Sequence, residues 1–224
     1  MTPTPRFDAI DYSAPEEYLS LSPSFVGPGS IASLATSLQT SSPQATLGSI
    51  WKWLMANLTV RNVTADYGWR PVTEILARRT YIGCADFAMV YGCLARACGI
   101  PVVWVKSLNV SWIRTFRNTG RFNGGDGHVF LEAHLDGTWH LIDASQDELF
   151  HPYSPSCQLL PGPDEGRFAY DKGGDPRALV LSLDWEPWKA QTRSYFASFD
   201  LGRLLTARRA CEGAGRRLSC PTRS

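Results

Sequence analysis

The sequence predicts a mixed fold of helices and antiparallel strands, and three observations lead to this prediction. Apolar residues recur at helical spacing over residues 46–58, which is typical of an amphipathic helix. A second helix is predicted over residues 84–98, because the Gly-Ile-Pro sequence that follows carries helix stop signals. Two further segments, within residues 128–144, have strand character and are joined by Asp136-Gly137, a strong two-residue hairpin signal.

The remaining elements follow from shorter patterns. Pro71 suits the first turn of a short helix, and the β-branched run in residues 101–106 predicts a buried strand. Residues 109–127 are rich in Gly and Asn and are interpreted as a long connection of the kind that forms lids or binding edges. Another strand is predicted over residues 178–183, and a closing helix over residues 186–199.

Composition indicates a single globular domain. The chain has 224 residues, of which 44% are apolar and 19% charged, within the globular range. We expect an extended or weakly ordered N-terminal arm over residues 1–44, the catalytic domain over residues 45–200 and a basic, solvated tail over residues 201–224. These boundaries rest on the Pro, Ser and Thr content of the first segment and the Arg content of the last.

Charge and hydropathy exclude several classes of partner. The net charge of +1 argues against an extended surface for nucleic acid or anionic membranes. No window of about eighteen apolar residues occurs, and no basic segment followed by an apolar stretch opens the chain. We therefore expect a soluble, cytoplasmic protein that binds neither nucleic acid nor membrane.

The six cysteines do not form a disulfide framework in this prediction. Three of them lie in the helix over residues 84–98, and a reducing compartment is the simpler interpretation. Cys211 and Cys220 are close enough in sequence to pair, or are free thiols, and Cys157 is unassigned. Neither a CxxC pair nor an HExxH motif occurs, so neither a metal nor an organic cofactor is expected.

Cys84 is the strongest candidate for a reactive residue. It follows Gly83 at the predicted start of a helix, where the helix dipole favours the thiolate over the thiol. Cys93 and Cys98, on the same helix, are interpreted as small core residues. Asp86 is either an ordinary acid of the first turn or a residue that holds a nearby loop or a basic residue.

The predicted hairpin supplies a base and an orienting carboxylate. A two-residue turn pairs Leu135 with Thr138, so Phe130 lies opposite Asp143. Because residues two apart in a strand share a face, His128 joins Phe130 on the face of Asp143, and the imidazole and carboxylate are within reach. A helix packed across the mouth of the hairpin would then aim Cys84 at His128.

The motifs GCADFAMVYGCLARACGIPVVWV and GHVFLEAHLDGTWHLIDAS, within residues 46–145, resemble the transglutaminase-like superfamily of papain-like fold. The resemblance implies an α+β domain, with the nucleophile helix packed on an antiparallel β-sheet. It also implies Cys84 as nucleophile, His128 as general base and acid, and Asp143 as the residue that orients the imidazole.

Two departures from the family pattern stand out. Many relatives have His-Ala-Trp at the base, where this chain has His-Val-Phe from residue 128. The residue that supplies the oxyanion donor is not fixed by the motifs, and Trp53, Trp69 and Tyr81 are candidates beside the main-chain N–H of Cys84.

The implied reaction forms a thioester at Cys84 from a glutamine carboxamide or from a peptide or amide carbonyl, so the resemblance implies a protein, a peptide or a small amide as substrate. An amine acceptor gives transamidation, whereas water gives deamidation or proteolysis. The alternative is a non-catalytic binding module that keeps the fold. The sequence therefore predicts a cysteine-dependent acyltransferase or amide hydrolase and leaves the acceptor open.

Overall fold

A six-stranded antiparallel sheet lies at the centre of the structure, a computed structural model that describes residues 4–61, 68–122, 126–181 and 185–213. Its strands are β3 (Val102–Asn109), β4 (Gly127–Leu135), β5 (Thr138–Asp143), β6 (Glu148–Phe150), β7 (Leu159–Leu160) and β8 (Arg167–Gly173). Two short strands, β1 (Thr59–Val60) and β2 (Thr80–Tyr81), pair in parallel beside it.

Helices cover this sheet, and a short 3-10 helix, Pro15–Leu19, precedes them. The helices are α1 (Pro23–Val26), α2 (Ala32–Leu38), α3 (Pro43–Asn57), α4 (Val72–Arg78), α5 (Cys84–Ala97), α6 (Val110–Thr119), α7 (Trp185–Ala197) and α8 (Gly202–Gly213). The predicted α+β class is confirmed. Over the described residues, no helix combines the length and the apolar character that crossing a membrane requires.

The sheet has the strand order β6-β5-β4-β3-β8-β7, so β3 and β4 are central. The predicted hairpin is confirmed, because Leu135 pairs with Thr138 and the register continues to Leu131 opposite Ile142. Phe130 and Asp143 are the next residues along the two strands. A local hairpin therefore brings the strand that begins near His128 beside the end of β5.

Helix α5 packs on the central strands through a close contact. A Cβ atom at Gly92 would lie 2.7 Å from the Trp104 ring, so only glycine allows the helix to approach β3 this closely. The Trp104 indole also donates to the carbonyl of Ala88, at 3.2 Å. The helix begins at Cys84, as predicted, and Gly99, with a φ of +82°, follows its end. The contact with β3 fixes where the first turn of α5 lies.

Residues 4–44 differ from the arm that composition predicts. Phe25 and Leu38 are buried in the main core, together with neighbours on α1 and α2. Ser22 caps α1 through its hydroxyl, and Pro23 occupies the first turn, where its missing N–H costs nothing. The Ser and Pro residues that favoured disorder are therefore helix-starting residues.

The segment ahead of α1 covers the face of the sheet opposite α5. Tyr12 donates to the Glu132 carboxylate and accepts from Lys172, and both of those side chains are fully buried. Trp139 donates to the carbonyl of Tyr12, at 3.2 Å, and the two rings meet edge to face. This segment is part of the packed fold.

The prediction of a long connection over residues 109–127 is wrong for most of its length. Helix α6 occupies Val110–Thr119, with Ile113 and Phe116 buried, and ends at Gly120, whose φ is +66°. The Gly and Asn residues cluster after the helix, and their density hid the apolar spacing before it. Residues 123–125 of that stretch lie outside the described residues.

The predicted strand over residues 178–183 is also wrong. Residues 176–180 form a turn, residue 181 has no regular structure, and residues 182–183 lie outside the described residues. The longest strand that sequence reasoning missed is β8, which pairs with β3. It follows a segment rich in Pro and Gly, which is typical of coil. Its pairing with β3 also has a bulge, which the sequence does not indicate.

The C-terminal region differs from a solvated tail. Helix α7 confirms the predicted closing helix, and α8 follows it with Leu204 and Cys211 buried. Cys211 forms a disulfide with Cys157, so both alternatives predicted for Cys211, a free thiol and a pair with Cys220, are wrong. Cys220 lies outside the described residues. Disulfides are rare in reducing compartments, so this bond runs against the expected redox setting.

Candidate active site

His128 and Asp143 form a hydrogen-bonded pair at the end of the hairpin. His128 Nε2 lies 2.8 Å from Asp143 Oδ2, and the two side chains are only 12% and 11% exposed. Ser145 holds the other carboxylate oxygen, Oδ1, through its main-chain N–H at 3.0 Å and its hydroxyl at 2.7 Å. The carboxylate is therefore fixed on both sides, and it fixes the plane of the imidazole.

Cys84 contacts His128 from the first turn of α5. Burial favours the neutral thiol, but a hydrogen bond and a charge interaction with His128 outweigh it and lower the pKa of Cys84 below its ordinary value. The main-chain N–H of Val129 also donates to the sulfur. Because Nε2 of His128 is taken by Asp143, Nδ1 is the nitrogen left to face the thiol.

The pKa values of the imidazole and of the carboxylate are shifted in the directions that favour their charged forms. Burial opposes the charge on His128, but hydrogen bonds to Asp143 and Cys84 prevail and raise its pKa to about 9. Burial likewise opposes ionisation of Asp143, but His128 and Ser145 lower its pKa overall. The arrangement therefore favours a thiolate, an imidazolium and a carboxylate in a row.

Asp86 anchors the loop that leads into Cys84. Its carboxylate accepts from the main-chain N–H of Ile82, at 3.0 Å, and is paired with the buried guanidinium of Arg70. Arg70 also donates to the carbonyl of Thr80. Of the two roles that the sequence left open for Asp86, the structure favours the second, because its carboxylate holds a loop and a basic residue.

One aromatic ring packs on the imidazole, and a second lies against the residue before it. Phe130 meets the His128 ring edge to face, with the ring centroids 4.8 Å apart. Trp188 of α7 lies against Gly127, where a Cβ atom would approach its ring to 3.0 Å. Trp188 is far from His128 in sequence, so the motif alone could not reveal this second ring.

The three aromatic candidates for the oxyanion donor lie at different places. Trp53 is on α3, Tyr81 ends β2 and packs edge to face on Phe87, and Trp69 lies under the guanidinium of Arg177, 5.4 Å from ring centroid to carbon. All three are partly buried against the main core. Their role as oxyanion donors stays a prediction.

Main-chain N–H groups beside the sulfur are further candidates. The N–H of Cys84 is in the first turn of α5, where helix geometry leaves it without an intrahelical acceptor. The N–H of Val129 points at the Cys84 sulfur. Sequence reasoning named the first of these donors and missed the second, because the approach of β4 to α5 is a tertiary contact.

A sequence model of the transglutaminase-like superfamily matches residues 32–144, which include all of Cys84, His128 and Asp143. The chain belongs to the transglutaminase-like superfamily. The resemblance seen in the sequence motifs is thereby confirmed. No curated protein is similar enough in sequence to count as a match.

Comparison with solved structures gives one likeness in fold to this superfamily member and one weaker match. A putative cysteine protease from Cytophaga hutchinsonii is 17% identical with a TM-score of 0.52, over 81% of this chain and 54% of that chain. The periplasmic domain of TgpA from Pseudomonas aeruginosa is 19% identical with a TM-score of 0.43, over 62% and 49%. The chain thus spans about half the length of both, and at 17% identity the first likeness supports the fold alone.

Arg167, the first residue of β8, lies near this site and was not singled out from the sequence. Its Nη1 donates to the carbonyl of Asp126, at 3.1 Å, two residues before His128. It follows Gly166 in a coil-like stretch that offered no motif. Among the residues that the structure describes, no group of three His, Cys, Asp or Glu side chains is arranged to hold a metal ion.

Proposed function

We propose that this member of the transglutaminase-like superfamily is a cysteine-dependent enzyme that forms a thioester at Cys84 from an amide or peptide carbonyl. One observation carries the proposal: the Cys84 thiol contacts His128, which Asp143 holds at 2.8 Å. This is the order of nucleophile, base and orienting group that acyl transfer requires.

In the first half of the reaction, the Cys84 thiolate attacks the carbonyl carbon and forms a carbon–sulfur bond. The carbonyl electron pair moves to oxygen, and the main-chain N–H groups of Cys84 and Val129, both beside the sulfur, are the proposed donors to it. When the intermediate collapses, the carbon–nitrogen bond breaks and the His128 imidazolium gives its proton to the departing amine or ammonia. The product is a thioester and a neutral imidazole.

In the second half, an acceptor attacks the thioester while His128 takes its proton. The carbon–sulfur bond breaks, and Cys84 leaves as the thiolate, which restores the starting charge pair. A primary amine gives transamidation, and water gives deamidation or peptide cleavage. Asp143 keeps the imidazole in one orientation through both halves, because Ser145 fixes its second oxygen.

Intact-mass analysis of a glutamine-containing peptide, with and without a primary amine, tests this proposal. Gain of the amine with loss of ammonia indicates a transferase, gain of water with cleavage indicates a protease, and exchange of the amide for an acid indicates a deamidase. An acid-quenched acyl adduct that maps to Cys84 indicates the thioester.

Two alanine variants make the test specific. Cys84→Ala should abolish both product and adduct, whereas Cys98→Ala, at the end of the same helix, should leave them unchanged. Product formation by Cys84→Ala would overturn the proposal. Absence of any product or adduct across a panel of peptides, with the protein folded, would instead favour a binding module.

A further inference from the structure

A half-buried arginine from β8 crosses the end of β3 toward the strand that carries His128. The register places Leu108 opposite Gly127 on one side of β3 and Asn109 opposite Arg167 on the other. The guanidinium bridges this gap, because Nη1 donates to the carbonyl of Asp126, at 3.1 Å. Two neighbouring strand ends therefore place a cation beside the candidate active site.

The stem of Arg167 is held by close packing. A Cβ atom at Gly162 would lie 2.6 Å from Cγ of Arg167 and 3.2 Å from its Nε. Any side chain at that position would push the arginine away, so the glycine lets the stem lie against the main chain. Gly166, with a φ of +87°, sets the direction in which the strand and this side chain begin.

The guanidinium is within electrostatic reach of the reacting groups. Burial lowers the pKa of Arg167, while the negative forms of Cys84, Asp143 and Asp126 favour its charge. In return, its charge helps to lower the pKa of Cys84. The charge of the arginine therefore interacts with the nucleophile, although its hydrogen bond goes to a neutral carbonyl.

Among the described residues, no acidic side chain holds Arg167. The buried Arg96, whose hydrogen bonds go to the carbonyls of Val102 and Ser20, is a comparable case at the far end of α5 from Cys84. Two other arginines have acidic partners. Arg70 is paired with Asp86, and Arg114 with Glu165 through two hydrogen bonds. Within the described part of the chain, no carboxylate lies within ion-pair distance of Arg167, and its hydrogen bond to Asp126 leaves most of its five donors for a ligand. Such a cation beside a nucleophile suits an anionic group on the substrate.

We propose that Arg167 binds a carboxylate of the substrate next to the carbonyl that Cys84 attacks, so that preferred substrates are amides of acidic or C-terminal residues. The planar fork of a guanidinium matches a carboxylate with two parallel hydrogen bonds, which a neutral amide cannot accept equally well. The inference rests on the proposed function for its substrate, but the anion site itself can be tested without any amide turnover.

Alkylation of Cys84 by iodoacetate and by iodoacetamide tests the anion site. In both reactions the sulfur forms a carbon–sulfur bond and iodide leaves with the electron pair, so the reagents differ only in carrying a carboxylate or an amide. We expect Arg167→Gln to lower the ratio of the iodoacetate rate to the iodoacetamide rate by about tenfold or more. Peptide mapping assigns the label to Cys84.

Control variants separate the possible roles of the arginine. Arg121→Gln, at an exposed position, should leave the ratio unchanged, and Arg167→Lys should keep part of it, because the charge remains and the fork is lost. Equal loss of both rates in Arg167→Gln would mean that the arginine only supports the thiolate and would overturn the proposal. An unchanged ratio in folded Arg167→Gln, checked by thermal melting, would overturn it as well.

A second measurement connects the anion site to turnover. Two peptides that differ only in a free or an amidated carboxylate beside the reacting amide should differ in KM in the natural protein, and Arg167→Gln should remove that difference. Equal KM values for the two peptides in the natural protein would contradict the substrate preference. If the ratio of the two alkylation rates depends on Arg167 but neither peptide is turned over, the proposed acyl transfer is rejected and the anion site is kept.

Discussion

Asp143 holds His128 through one carboxylate oxygen, at 2.8 Å, while Ser145 binds the other. The imidazole is therefore oriented by a group that is itself oriented. Because the two residues lie at one end of a hairpin whose turn fixes the register, local sequence decides this pair, and α5 needs only to bring the thiol.

Asp143→Asn should lower kcat/KM for an amide substrate by about 10²- to 10⁴-fold. The amide keeps the size of the side chain but cannot stabilise an imidazolium, and its NH₂ group favours the wrong tautomer of His128. Steady-state kinetics measure the effect, with Ser145→Ala as the control that removes a support and keeps the carboxylate. Near-natural activity of folded Asp143→Asn would contradict the role of orienting group.

The reactivity of Cys84 should depend on pH through its contact with His128. Since the pKa of Cys84 is lowered, its thiolate persists below the usual cysteine pKa of about 8.5, and alkylation by iodoacetamide should slow only below the lowered value. His128→Ala removes the largest of the interactions that lower the pKa of Cys84 and leaves burial in place, so the inflection should move to higher pH. Alkylation quenched at set times and followed by mass spectrometry measures the pH profiles of the natural protein and of the variant.

Cys98 provides the internal reference for these profiles, because burial raises the pKa of its thiol. Its alkylation should rise only at high pH in both proteins. The same inflection for Cys84 and Cys98 in the natural protein would contradict an activated thiol.

Elements set by neighbouring residues could be predicted, and those set by distant ones could not. Helix α5 carries its own start and stop residues, and the Asp136-Gly137 turn fixes the hairpin register, so the placements of Cys84 and His128 followed from the sequence. Arg167 reaches the site only because β8 pairs with β3 across a bulge, and nothing near it in sequence indicates that partner.

The distinction between local and distant contacts also explains why the N- and C-terminal segments differ from their predictions. Tyr12 is fixed by Glu132 and Lys172, both more than a hundred residues away, so composition alone suggested an arm. The Cys157–Cys211 bond closes a separation of 54 residues, whereas the sequence offered Cys211 only a free thiol or a pair with Cys220 in the tail. In both places a long-range contact supplies the free energy that local propensity lacks.

Asp86→Ala should lower the free energy of unfolding by about 3–5 kcal/mol, because it leaves the buried guanidinium of Arg70 without its partner. Urea denaturation measures the loss. Glu74→Ala is the matched control, since Glu74 pairs with the exposed Arg78 on α4 and should cost less than about 1 kcal/mol. Equal effects of the two substitutions would contradict a structural role for the buried pair.

Tyr12→Phe should lower the free energy of unfolding by about 1–3 kcal/mol, because the lost hydroxyl bridges the fully buried Glu132 and Lys172. Tyr195→Phe is the control, since that hydroxyl only accepts from the exposed Arg203. Urea denaturation compares them. A neutral Tyr12→Phe would mean that the N-terminal segment is not packed on the sheet as described.

Cys157→Ala should lower the free energy of unfolding by about 2–4 kcal/mol under oxidising conditions, because the Cys157–Cys211 bond closes a loop of 54 residues and restricts the unfolded chain. In the presence of a reductant the natural protein should fall to nearly the same stability as the variant, which separates the bond from the packing of the two side chains. Cys98→Ala, which breaks no disulfide, is the control. Peptide mapping without reduction should recover residue 157 joined to residue 211; recovery of Cys211 joined to Cys220 would contradict this pairing and return the pair to the tail.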